Sequence, residues 1–317
     1  MTFGLQTFNS AGNETLNTNY QISRIHSTIA GINVAAGGSS TVAISGMVND
    51  GTWNCFILNQ QGDTYITINN GSATVSVPSY APSGISNGVL IIIRVNGEST
   101  SSGYGLFGKN DYGGVQIDQN FSNFVRVGGA NNVPVGTFQT LPAGYNFNNS
   151  ILLARPSGVG RAALLSVSSN NAFTFTRPAG NSFDWLCYAP ASSVSVGGGY
   201  GMRVYDGSGQ VVFDTNFGYL KYAGRATVPL SSFNYVFDSS PQFGEKSYAL
   251  INNLGLYRFL WANRVMSYYW AGLQSTDGTN IGAYTQLETF TAPIGSIFSD
   301  NTFGTERQYT YFHGKTA

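Results

Sequence analysis

The sequence predicts an all-β chain of three tandem β-sandwich-like repeats, each opening with a β-hairpin and joined to the next by a Gly/Ser-rich linker. Three observations predict it. A seventeen-residue pattern is written three times, apolar strand-like runs follow each copy at matching distances, and Asn, Asp and Gly mark turns between the runs. The copies are residues 4–20 (GLQTFNSAGNETLNTNY), 105–121 (GLFGKNDYGGVQIDQNF) and 201–217 (GMRVYDGSGQVVFDTNF). Aligned without gaps they share Gly at the start, Asn or Asp five positions on, Gly at eight and a large apolar residue at twelve. Asn or Asp follows at thirteen, Asn at fifteen and an aromatic at sixteen.

The opening of each copy reads as a hairpin. Asn9-Ser-Ala-Gly12, Asn110-Asp-Tyr-Gly113 and Asp206-Gly-Ser-Gly209 put an Asx side chain at the first turn position and Gly at the fourth. The side chain can accept bonds from backbone two residues ahead, and Gly takes the left-handed conformation that closes a type I turn with a bulge. The pairs Asn19-Tyr20, Asn120-Phe121 and Asn216-Phe217 then turn the chain and drop a ring onto the core.

Behind each opening come the remaining strands. The apolar runs at 53–58, 151–154 and 248–251 begin 41, 38 and 39 residues after the turn glycine. Each leads into a second hairpin with Asn near its tip: 64–68 into 73–77, 163–167 into 173–176, and 257–261 into 265–270. Period-two alternation of β-branched and aromatic residues marks these as strands with one face buried. One more strand closes each repeat, at 89–95, 183–188 and 284–290, and an aromatic tail at 292–317 is left over. Six or seven short strands in just under a hundred residues is the size of a β-sandwich. Boundaries fall where composition turns small and flexible, at 96–103 and 195–199, giving domains 1–97, 98–198 and 199–317.

Charge narrows the function classes. Lys plus Arg is 15 and Asp plus Glu is 15, so the net charge is zero, with no electrostatic footprint for nucleic acid or anionic lipid. Charged residues are 9% of the chain, against roughly 25% in ordinary soluble domains. Such a neutral, hydrogen-bonding surface suits permanent assembly or docking on neutral ligands such as glycans. Cys55 and Cys187 fall at different points of their repeats and read as buried free thiols rather than a bridge. Met1 leads straight into the first hairpin, and the longest aliphatic run, 89–93, is too short to span a bilayer; the expectation is cytoplasmic synthesis without membrane insertion.

Chemistry is sparse. His26 and His313 lie near opposite ends, no Ser-His-acid or Cys-His grouping assembles, and no spacing suits zinc. His313 reads as packing in the tail or as solvent-facing. Asp118/Asn120 and Asp214/Asn216 resemble half a calcium site, but the first copy carries Asn17 and Asn19 without a carboxylate, so turn stabilisation is the better reading. Asp184, Asp238, Asp277, Asp300 and Glu288 supply carboxylates for a glycosidase, yet no spacing singles out a pair. Gly-rich 196–201 is a linker, not a phosphate loop. The expectation is a non-enzyme with no cofactor and no metal.

One feature stands out. The second hairpin of repeat three carries Tyr257, Arg258, Phe259, Trp261, Arg264, Tyr268, Tyr269 and Trp270, where the matching hairpins carry mostly Ile, Val, Thr and Ser. Tyr, Trp and Arg dominate interface hot spots, and flat rings stack on sugars. These eight residues are the candidate binding site; a thicker core beneath the tail is the competing account.

The openings GLQTFNSAG and GMRVYDGSGQVVFDT resemble those of minor tail proteins of long-tailed bacteriophages, where such a segment begins small β-rich modules. The likeness covers the seventeen-residue openings and, beyond them, only the chain's general character. It implies a virion structural protein of the tail tip, baseplate or fibre, assembled in the host cytoplasm with other tail-tip or baseplate proteins. It also implies copies around a threefold axis, favouring a homo-trimer, and a part in attachment through a host surface glycan or pilus receptor. A glycan-binding lectin or adhesin and a polysaccharide depolymerase are the alternatives. The repeats could lie in series as a rod or around one point as a pseudo-threefold platform.

Overall fold

The computed structural model describes residues 6–8, 14–17, 23–58, 64–79, 84–95, 105–110, 113–118, 123–169, 171–195, 201–229, 246–252, 258–262, 265–291 and 306–314. These form several antiparallel sheets. Among the described residues there is no α-helix, only a 3-10 turn at Ala191–Ser193. The first turn at 9–12, the ring-bearing pairs Asn19-Tyr20 and Asn120-Phe121, the first linker and all of the second but Ser195 lie outside these residues.

The first eight strands are β1 (Gln6–Phe8), β2 (Glu14–Asn17), β3 (Ser23–Val34), β4 (Ser39–Ala43), β5 (Trp53–Leu58), β6 (Tyr65–Asn69), β7 (Ser72–Ser76) and β8 (Ile85–Val95). Beyond the β1-β2 hairpin they make two three-stranded sheets, ordered β3-β8-β5 and β4-β7-β6. Residues of both sheets meet in one buried cluster that includes Trp53, Cys55, Ile57, Ala73, Val75, Leu90 and Ile92. All six residues of β5 are buried, because Phe56 and Leu58 on its other face join a second cluster. A strand covered on both faces needs an unbroken apolar run, which is what 53–58 supplies.

Next come β9 (Gly105–Asn110), β10 (Gly113–Asp118), β11 (Phe124–Pro134), β12 (Gln139–Thr140), β13 (Ile151–Pro156), β14 (Gly160–Ser169), β15 (Ala172–Arg177) and β16 (Ser182–Pro190). The rest are β17 (Arg203–Tyr205), β18 (Val211–Asp214), β19 (Lys221–Pro229), β20 (Lys246–Leu250), β21 (Arg258–Ala262), β22 (Val265–Ser275), β23 (Gly282–Thr291) and β24 (Glu306–Gly314). β9-β10 and β17-β18 are hairpins, and the other strands merge into two six-stranded sheets. One runs β11-β16-β13-β20-β24-β19; the other runs β12-β15-β14-β22-β21, with β23 also on β22. Between them lies a cluster containing Phe147, Leu152, Ala154, Phe173, Phe175, Phe183 and Leu273.

A third cluster joins the three stretches of chain. Phe56, Ile91 and Ile93 meet Phe124, Ile151, Leu153, Leu186 and Tyr188, together with Leu220, Tyr222, Tyr248 and Leu250. Hydrogen bonds cross the same region. Ser23 Oγ donates to the Leu220 carbonyl (3.1 Å), Leu220 N–H to the Phe124 carbonyl (2.9 Å), and Tyr222 OH to Asn54 Oδ1 (2.8 Å).

The third opening hairpin forms as its residues dictate. Asp206 Oδ1 accepts bonds from Ser208 N–H (2.8 Å), Ser208 Oγ (2.7 Å) and Gln210 N–H (2.9 Å), while Gly209 sits at φ +81°. These bonds, Ser208 foremost, hold the Asp206 carboxyl below its ordinary range. Its contribution to stability is therefore full above about pH 4 and is lost as pH falls through the depressed native value. Gly201 is needed for space: a Cβ there would lie 2.2 Å from Thr215 Oγ1. Gly201→Ala is expected to cost about 1–3 kcal/mol in urea unfolding. Phe217 packs, half-buried, on a small cluster of Ile117, Val125, Phe213 and Tyr219.

Two expectations need correction. The second hairpin has no bulge: Asn110 pairs directly with Gly113 across a two-residue loop. The final strand is also not 284–290. β23 lies on β22 instead, and β24, in the expected tail, fills the gap between β19 and β20. Tyr309, Tyr311 and Phe312 thus belong to a central strand, not to an appendage.

Candidate functional site

The candidate site lies on β21 and β22. Pairing sets Arg258 opposite Tyr269, Phe259 opposite Tyr268 and Trp261 opposite Met266, while β23 sets Glu288 opposite Tyr268 and Gln286 opposite Trp270. Alternation then puts positions 259, 261, 268 and 270 on one face of this sheet with 286 and 288. Arg258 and Tyr269 share the other face with Leu273, which is wholly buried in the core. The structure therefore divides the group: four aromatic positions on the face away from Leu273, and Arg258 with Tyr269 on the core side. Tyr257 and Arg264 lie outside the described residues.

Two of the candidate carboxylates, Asp184 and Asp277, are engaged in local structure. Asp184, buried on β16, accepts hydrogen bonds from Asn132 N–H (2.9 Å) and Ser157 Oγ. Asp277 caps a tight turn by accepting from Thr279 N–H (2.7 Å), Asn280 N–H (2.7 Å) and Asn280 Nδ2 (2.8 Å). Those bonds, Thr279 first, hold its carboxyl below the ordinary range. Asp214 is occupied likewise, by Arg203 Nε (2.6 Å) and by Asn216 N–H (2.8 Å) and Nδ2 (2.9 Å). This is the turn-stabilising role expected of the Asp214/Asn216 pair. Asp238 and Asp300 lie outside the described residues. Among those described, no three His, Cys, Asp or Glu side chains gather as a metal site.

Sequence reasoning missed Arg155. It is the penultimate residue of the apolar strand β13, is fully buried, and ties β13 and its neighbour β20 to the turn between β22 and β23. Its guanidinium donates to the carbonyls of Pro156 (3.0 Å), Ser247 (3.2 Å), Thr279 (2.9 Å) and Gly278 (2.7 Å), and lies 5.6 Å from the Tyr248 ring centroid. Four carbonyl acceptors make a structural clamp, not a catalytic one. The signal in the sequence was a charge inside an otherwise apolar run.

Cys55 and Cys187 are free and buried, and burial pushes both thiols up to about 12. Both are expected to ignore Ellman's reagent in the native protein, and two thiols per chain should react in denaturant. Fast reaction of either in the native protein would contradict this packing.

No protein-family model matches the chain, and neither the search of curated proteins nor that of solved structures found a match.

Proposed function

We propose that the chain is one hairpin-led β-sandwich written three times, over 1–97, 98–198 and 199–317, and packed around a common centre. Strand order supports it: β3-β8-β5, β11-β16-β13 and β19-β24-β20 follow the same plan, as do β4-β7-β6 and β12-β15-β14. In the third copy β23 takes the outer place beside β22. The sharpest support is a shared irregularity. The strand after each opening hairpin is bulged at His26, Val127 and Ala223, each 22 residues past the opening glycine. Independent folds would not place a bulge at one offset three times.

The function this architecture supports best is a structural one: a component of a phage tail tip, baseplate or fibre that assembles into the virion and contributes to host attachment. The carrying observation is the central cluster shared by all three stretches, which favours a compact block over a jointed rod. With charged residues at 9%, the surface suits permanent contact with tail neighbours or with copies of itself, a trimer foremost. Tails purified from the phage encoding the chain should contain it at fixed stoichiometry by mass spectrometry. Its absence from tails, or release of reducing sugar from capsule by the pure chain, would overturn this reading.

Glycan binding is the second reading, favoured by the aromatic positions 259, 261, 268 and 270 on one sheet face. It expects a glycan array to report binding that Trp270→Ala abolishes.

A further inference from the structure

We propose that the first copy carries a binding site for an uncharged, extended oligosaccharide on the outer face of its β4-β7-β6 sheet. Pairing runs through five residues of each strand with no break in register. Alternation sends Ile66, Ala73 and Val75 into the buried core of this copy and their neighbours outward. The outward residues form rows across the three strands. The middle row is Thr41, Thr74 and Thr67. Ser39, Ser76 and Tyr65 stand on one side of it, and Ala43, Ser72 and Asn69 on the other. The β4 residues of these rows, Thr67 and Asn69 are exposed, and the rest are half-buried.

The face is held in place before any ligand arrives. The Thr41 and Thr74 hydroxyls lie 3.0 Å apart and share a hydrogen bond. The turn between β6 and β7 is clasped by the loop that follows β4. Asn49 N–H donates to Asn70 Oδ1 (2.9 Å), Gly71 N–H to the Met47 carbonyl (2.9 Å) and Ile44 N–H to the Gly71 carbonyl (2.8 Å). A surface fixed in this way gives up little conformational freedom on binding. The other copies do not offer it. The corresponding row of the second runs through Thr174, which is 1% exposed, and the third places Phe259 and Tyr268 on the face away from its core.

Size and chemistry select the ligand. Neighbouring strands stand about 4.8 Å apart and alternate residues about 7 Å apart, so the rows cover roughly 10 Å by 14 Å. That is on the order of 150–300 Å², well short of the ~800 Å² per partner of a stable protein interface. A protein partner would need more surface than this face offers; a short oligosaccharide does not. None of the positions in these rows is charged, and all but Ala43 carry a hydroxyl or an amide. Each hydroxyl both donates and accepts, which matches a ligand made of hydroxyls. Tyr65, at a corner, adds a ring for the apolar face of one sugar. With no bulge to bend the sheet, the face fits an extended β-linked chain better than a coiled α-linked one.

The test uses the whole chain labelled with carbon-13 in its threonine methyl groups. Thr41→Val, Thr67→Val and Thr74→Val each remove one signal and so identify it. Cellotetraose or chitotetraose should move these three signals in a saturable way, and maltotetraose should bind several-fold more weakly. Combining Thr67→Val with Thr74→Val keeps side-chain shape and strand preference but removes two hydroxyls. That variant should bind at least several-fold more weakly, read at Thr41 with the remaining spectrum unchanged, while Thr67→Ser should bind as the parent does. Absence of a response to both β-linked tetrasaccharides overturns the proposal. So do an equal response to maltotetraose and an unchanged affinity in the folded double variant. Trp270→Ala, in the aromatic hairpin of the third copy, should leave the response as it is; loss of the response there would assign the binding to that hairpin and overturn this site. Failure of this site would leave the tail-assembly reading untouched, since no residue here belongs to the central cluster.

Discussion

Arg155→Met is expected to lower the unfolding free energy by about 3–5 kcal/mol, the scale for removing one side of a buried charged network. Methionine matches the aliphatic stem but offers no donor, so the carbonyls of Ser247, Gly278 and Thr279 lose the group that reaches them. Each buried acceptor left unmet costs about 1–3 kcal/mol, and partial access of water to the 278–279 turn keeps the total below the full sum. Arg155→Lys should recover only part, because an ammonium has three donors in a compact head and cannot reproduce the fork. Urea unfolding measures both. A loss under about 1 kcal/mol for Arg155→Met would mean that the clamp between β13, β20 and the β22–β23 turn is ornamental.

Phe124→Ala carries the second large effect, about 3–5 kcal/mol for an aromatic ring removed from a close-packed core. Phe124 is 1% exposed and sits in the cluster shared by all three stretches, with its carbonyl taking the Leu220 N–H. The cavity would open where the three stretches of chain meet. The variant should therefore lose cooperativity as well as stability, its unfolding curve broadening or splitting. A Phe175→Ala change, in the cluster between the two six-stranded sheets, should cost a similar amount without separating 1–97 from the rest.

Much of this architecture was legible in the chain. The apolar runs at 53–58 and 151–154 form β5 and β13, and every second hairpin stands where its Asn-tipped pattern put it. Among the strands that escaped were β3, β11 and β19. Each is bulged, so its period-two alternation breaks, and β11 further holds Gly128-Gly129 and ends in Pro134. A bulge shifts which face a residue takes, and counting alternation along a sequence cannot follow that shift. The misreading of 284–290 as the final strand has the same kind of cause. β23 and β24 are both aromatic and β-branched, and only pairing reveals that β24 fills the middle of its sheet.

The sites were less legible than the strands. The aromatic hairpin was visible as composition, but its division into two faces follows only from register with β23 and from the burial of Leu273. Thr41, Thr67 and Thr74 are separated by 26 and 7 positions and form one row only once β4, β7 and β6 lie side by side. Arg155 drew no reading from the sequence because, beyond the neighbouring Pro156 carbonyl, its acceptors are distant: they come from residues 247, 278 and 279.

The central claim is that three similar modules share one core and behave as a unit. Hydrogen exchange read by mass spectrometry across a urea series tests it most directly, following peptides over β8, β13 and β20. The account predicts that all three lose protection at a common urea concentration, since each sends side chains into the same cluster. Loss of protection in β8 at a distinctly lower concentration than in β13 and β20 would contradict it, and would leave modules that merely sit side by side.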